Sequence, residues 1–309
     1  MTTLFLSHSS YLDHDTGPGH PERPDRIRAI MEALEHERFA ALNRADAPGA
    51  DRRAILRVHP AHYVDAIAAA TPLCGRVHLD PDTVMSAQSF AAIGHCVGAA
   101  TAAIDEVMRG GTKNAFVAMR PPGHHAGIAS PMGFCFFNNA AIAARHAQEA
   151  HGAERVAILD FDVHHGNGTQ EIFWSDRSVL YASSHQMPLF PGTGGRNERG
   201  EHDNIVNAPL RAGNDGEIFR EAMQAVLLPR VNSFRPDLIV ISAGFDAHRL
   251  DPLGGLDLVE EDFAWATEQL MEIALRHARG RVVSVLEGGY HLEGLARSAA
   301  AHVAALMGA

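Results

Sequence analysis

The chain of 309 residues contains only three cysteines, Cys74, Cys96 and Cys135, widely separated and without a CxxC pair. That excludes a disulfide framework and a thiolate metal site, and it suits a reducing cytoplasm. Basic residues are in the minority: 26 Lys+Arg stand against 37 Asp+Glu, for a net charge of −11. The electrostatic footprint of direct nucleic-acid binding is therefore missing, whereas an acidic field weakly attracts cationic ligands. No uninterrupted apolar run reaches the ~18 residues of a membrane span. Residues 1–15 hold only the short run LFL before Asp13, so neither a signal peptide nor membrane association is expected. Internal repeats, low-complexity stretches and linker-like segments are also lacking, which predicts a single domain over 1–309.

What is present is ample core material, with 46% hydrophobic residues, and strand-like segments that alternate with helix-like ones. This pattern predicts an α/β fold. TLFLSH (3–8), AFVAM (115–119), VAILDFDV (156–163), LIVISAGF (238–245) and RVVSVLEGG (281–289) read as strands. Helical spacing marks 27–35, 61–70, 89–110, 136–150, 216–234, 260–278 and 292–307. NRADAPGADRR (43–53) reads as a loop. The long, polar, glycine-rich stretch 188–204 has the character of a functional loop and is expected at a site rim.

Four of the strands run out into polar clusters: Arg120-Pro-Pro-Gly-His124-His125, His164-His165-Gly-Asn167-Gly, Asp246-Ala-His248 and Tyr290-His291. Ligands of parallel sheets bind in the crevice outside the carboxyl ends of the strands, so these clusters should converge. On an extended strand, Asp160, Asp162 and His164 would share one face. Buried carboxylates need a partner or a metal, and a catalytic zinc typically takes about three protein ligands. Asp162 and His164 supply two; Asp246 is the leading third, with His248 a weaker alternative better suited to the rim. His124 and His125 are candidates for the general base, and Tyr290 could donate to a developing oxyanion. The combination points to a metal-dependent hydrolase.

RPPGHHA (120–126), GFCFFNNAAIAA (133–144), LDFDVHHGNGTQ (159–170), SAGFDAHRLDPLGGL (242–256) and LEGGYHL (286–292) together resemble the zinc-dependent histone deacetylases. More narrowly they are similar to the class II branch and its bacterial relatives, a branch that GHPERPDR (19–26) also matches. The resemblance implies the arginase–deacetylase fold, a single domain around a mainly parallel eight-stranded sheet flanked by helices. It places Asp162, His164 and Asp246 on zinc, His124 and His125 on the tandem histidines, and Asp160 and Asn167 behind the first and second of them. Tyr290 falls on the phenol that polarises the acetyl carbonyl, where some class II members carry His and deacetylate poorly. Gly133, Phe134 and Phe190 match the channel for the lysine alkyl chain. A structural K+ is implied at the carbonyls of Asp160, Asp162 and His164 with Ser183 and Ser184, and a peripheral one at Phe173, Asp176 and Val179.

Asp160 behind His124 would favour imidazolium, and uncharged Asn167 would leave His125 neutral, the better base. The expected substrate is an acetylated lysine in proteins or peptides. Acetylated small amines such as polyamines are the alternative, as are longer acyl groups. Leu253 matches a channel-mouth position where polyamine-selective members place Glu, although Glu198 or Glu201 of the rim loop could supply an acid instead. A binding module without turnover, or a two-manganese ureohydrolase, fits the motifs less well. A homo-oligomer stays open.

Overall fold

The computed structural model describes residues 2–308. Its strands are β1 (Thr3–Ser7), β2 (Asn43–Asp46), β3 (Arg76–His78), β4 (Val84–Ser86), β5 (Asn114–Val117), β6 (Val156–Asp160), β7 (Val179–Gln186), β8 (Ile205–Leu210), β9 (Leu238–Ala243) and β10 (Val282–Leu286). Eight of them form one sheet in the order β2-β1-β5-β10-β9-β6-β7-β8, with every neighbouring pair parallel. β3 and β4 make a small antiparallel hairpin apart from it.

The helices are α1 (Asp25–Ala33), α2 (Arg52–Leu56), α3 (Ala61–Ala69), α4 (Ser89–Arg109), α5 (Asn139–His151), α6 (Asn167–Phe173), α7 (Gly216–Ala222), α8 (Leu228–Phe234), α9 (Glu260–His277) and α10 (Leu292–Met307). A π-helical turn, Met223–Leu227, joins α7 to α8, so the expected helix 216–234 is one rod with an irregular middle. Strand residues alternate between two layers. Leu4, Leu6, Val156, Ile158, Leu238 and Val240 pack with α4 and α5. Phe5, Ala157, Leu159, Ile239 and Ile241 pack with α1, α9 and α10. Strands buried on both faces read as continuous apolar runs, which is why the central ones stand out in the sequence.

Three differences from the expected elements bear on the site. β6 stops at Asp160 rather than Val163. The Asp160 carboxylate accepts from the Asp162 backbone N–H, and the Asp162 carboxylate accepts from that of His164. These paired Asp turns take backbone donors away from the ladder. Asp162 and His164 therefore sit on a bend, not on the period-two face of a strand. The segment read as loop 43–53 contains edge strand β2, whose residues are exposed and offer no apolar alternation. β7 and β8 add strands to the sheet that the apolar pattern did not mark.

Candidate active site

β5, β10, β9 and β6 are consecutive neighbours at the centre of the sheet, all parallel. Their exits carry the four polar clusters, which therefore meet at one edge as expected. His164 Nδ1 lies 3.1 Å from both Asp162 Oδ1 and Asp246 Oδ2. Donor atoms of the three residues all fall within 4.8 Å of one another, in buried surroundings. Asp246 is fixed by the Val163 N–H, and Asp162 by the Gly288 N–H. A Cβ on Gly244 would overlap the Asp162 carboxylate and one on Gly288 that of Asp246, so only glycine lets backbone approach this closely.

The electrostatics of this trio suit a cation. Burial works against the His164 imidazolium, but its hydrogen bonds to Asp162 and Asp246 outweigh it and raise the pKa to about 10. Burial and the neighbouring Asp162 charge push Asp246 up to about 7. Two buried carboxylates and one imidazole converge where a divalent ion could satisfy them together. Two oxygens and one nitrogen also form a donor set that zinc accepts. His248 is not part of the group. It is buried, its Nδ1 accepts from the Leu250 N–H, and its Nε2 lies 3.7 Å from Glu260, so it is neither a third ligand nor a rim residue.

His124 Nδ1 donates to Asp160 Oδ2 at 3.0 Å, and its Nε2 is 3.8 Å from Asp162. Burial opposes its charge, but Asp162, Asp160 and Glu287 overcome that and hold the pKa well above the ordinary value. His125 Nδ1 pairs with Asn167 Oδ1 at 2.8 Å. Burial, then the positive charge of His124 and of His164, keeps His125 well below the ordinary value. Adjacent imidazoles thus differ in charge because carboxylates surround His124, whereas His125 is buried beside two positive imidazoles with only an amide behind it. Their rings are 4.0 Å apart.

A cavity of about 280 Å³ opens over this floor, lined by His125, His164 and Tyr290 with Gly133, Phe134, Leu189, Phe190, Leu253 and Asp82. Phe190 stands edge-on to His125 at 5.1 Å, and Phe134 edge-on to Tyr290 at 5.8 Å. Gly133 has φ 56°, and a Cβ there would press on the His125 ring. Tyr290 is held by its N–H to Asp251 and by the Arg26 guanidinium, 4.9 Å from its ring centre. Burial pushes its phenol well up, with Arg26 pulling the other way, so the hydroxyl keeps its proton.

Several contributors carried no signal in the sequence. The acid at the cavity is Asp82, in the turn between β3 and β4. Neither rim candidate takes that place: Glu198 is tied to the Gly194 and Gly195 N–H groups and to Gln170, while exposed Glu201 lies outside the lining. In GHPERPDR, Glu22 is fully buried and bridges Arg120 and Arg26, so that motif braces the loop before the histidines from behind. The peripheral potassium expectation is corrected. The carbonyls of Phe173, Asp176 and Val179 do converge, but on Asn204 Nδ2, at 2.7, 3.1 and 3.1 Å. An amide donor stands where the cation would, and the group does not fit one.

The histone deacetylase domain family model matches residues 20–306. A histone deacetylase-like amidohydrolase of Pseudomonas aeruginosa is 40% identical, over 93% of this chain and 77% of its own length. A probable deacetylase of Archaeoglobus fulgidus is 39% identical, over 95% of this chain and 83% of its own. Among solved structures, the HDA15 HD domain superposes with a TM-score of 0.94 at 37% identity, covering 100% of this chain and 90% of that one. With the domain match spanning nearly all of the sequence and a solved histone deacetylase domain superposing over the whole chain, the chain belongs to the histone deacetylase family.

Proposed function

We propose that the chain is a zinc-dependent amidohydrolase that removes acetyl groups from the lysine side chains of proteins or peptides. The observation that carries this reading is the aromatic-walled cavity whose lining includes His125, His164 and Tyr290. Zinc bound by Asp162, His164 and Asp246 would supply a Lewis acid and lower the pKa of water from ~15.7 toward ~7. Phe134 and Phe190 flank the alkyl chain and exclude water, and the Gly133 carbonyl accepts from the substrate amide N–H. With Nδ1 engaged by Asn167, His125 offers Nε2 as the base that takes a proton from water and returns one to the departing amine. His124, backed by Asp160, holds positive charge beside the reacting carbon. The Tyr290 hydroxyl donates to the oxyanion as it develops. A structural K+ at the carbonyls of Asp160, Asp162 and His164 draws support from the register Asp160↔Ser183, which lays Ser183 and Ser184 beside that turn.

Leu253 supports lysine over polyamine, because an apolar side chain in the lining cannot pair with a distant ammonium. Asp82 in the same lining favours the second reading, an acetylpolyamine deacetylase. Side-by-side kinetics on acetyl-lysine peptides and acetylspermidine test the choice. The wild type is expected to show the higher kcat/KM on the peptides, and Leu253→Glu to shift toward the polyamine. A clear wild-type preference for acetylspermidine would replace the first reading with the second.

A further inference from the structure

Between the tandem histidines and the Tyr290 loop lies a carboxyl group whose part above is limited to its charge near His124. Glu287 follows β10 and is fully buried. Its Oε2 accepts from the backbone N–H groups of Gly123 at 2.7 Å and His124 at 3.1 Å, and its Oε1 from the Ser242 hydroxyl at 3.2 Å. β10 is flanked by β5 and β9, so one side chain on the middle strand reaches the exits of both neighbours. Buried backbone donors require acceptors, and a group with two oxygens and no donor of its own suits three converging donors. Space for any other arrangement is lacking: a Cβ on Gly123 would press on the Asn139 backbone. On the other side, the Glu287 N–H donates to the Ala243 carbonyl, the Gly288 N–H to Asp162, and Tyr290 follows directly.

We propose that Glu287 is a positioning residue: its carboxyl group joins the turn carrying His124 and His125 to the loop carrying Tyr290, fixing base and oxyanion donor on one substrate carbon. This rests on the roles given above to His125 and Tyr290. Asp162 and Asp160 act on His124 more strongly than Glu287 does, so the requirement at this position is chiefly for reach and acceptors. An amide of the same length should serve, because its oxygen can take both backbone N–H groups while its NH2 faces the Ser242 hydroxyl, which accepts as well as donates.

Glu287→Gln keeps the length and an acceptor oxygen; Glu287→Asp keeps the charge but falls one methylene short. Steady-state kinetics on the acetylated amine that the wild type turns over best separate them. Glu287→Asp should lose about 100-fold in kcat with KM within about threefold, since a displacement of ~1 Å costs that much. Glu287→Gln should stay within about fivefold of wild type, with melting temperature and bound metal retained in both. A better Asp than Gln variant, both variants within about threefold of wild type, or a loss of kcat that tracks loss of metal would overturn the proposal alone. A wild type inert on acetylated amines would overturn the functional reading and this proposal with it.

Discussion

His124 and His125 are neighbours in the chain, yet an Asp stands behind one and an Asn behind the other. Asp160 and Asn167 lie on different segments, β6 and α6, so the difference belongs to the fold and not to the dipeptide. Replacing the neutral imidazole removes the proton acceptor, and general acid–base catalysis is typically worth ~100–10,000-fold. We expect His125→Ala to lower kcat by that order at pH 7 and His124→Ala to lower it less. Measured kcat in the reverse order would exchange the two roles. At this scale the sequence was informative where several chemical types coincided at strand ends, as for Asp162, His164, Asp246 and Tyr290. It was silent on Asp82 and on the role of Glu287, because a carboxylate in a turn or after a strand has many ordinary uses and only burial and partners distinguish one.

At the scale of elements, legibility followed burial of apolar side chains. The central strands announce themselves as runs such as VAILD and LIVISA, apolar on both faces. β7 is just as buried, but its second half is Ser183-Ser184-His185-Gln186, a polar string no hydropathy pattern would mark. Those polar groups anchor two loops: His185 Nε2 pairs with the Gly194 carbonyl of the rim loop, and Gln186 accepts from the Gly255 N–H beside Leu253. Glu198 completes the anchorage by gathering the Gly194 and Gly195 N–H groups and Gln170. The loop carries Leu189 and Phe190 into the cavity wall, so its rigidity should appear in substrate binding more than in chemistry. Glu198→Ala is expected to raise KM several-fold with kcat within about twofold. Hydrogen exchange over 188–200 should accelerate in the same variant, and an unchanged KM would show that Phe190 is held by other contacts.

For the whole molecule, a metal held by Asp162, His164 and Asp246 would bear on folding as well as on catalysis. Asp162 and Asp246 are both fully buried, and the His164 imidazole serves both carboxylates. Burial and the neighbouring Asp162 charge work against the ionised form of Asp246, which a bound cation would favour. A cation that binds the folded chain and not the unfolded one stabilises by mass action, ~4 kcal/mol when free metal is 1,000-fold above its Kd. Chains of about 150–250 residues shift by ~2–4 °C per kcal/mol and longer ones by less, so removing the metal should lower Tm by up to roughly 8–16 °C, and adding zinc back should restore it. Lower pH should weaken the effect, because protons compete with the metal for the trio. In Asp246→Ala the zinc-dependent shift should largely vanish, since the trio has lost a ligand. Thermal melts of both proteins, chelated and zinc-loaded, check this. A wild-type Tm indifferent to chelation and to zinc would mean that these three residues do not hold a metal in the folded chain, and hydrolysis would then need another source of activated water.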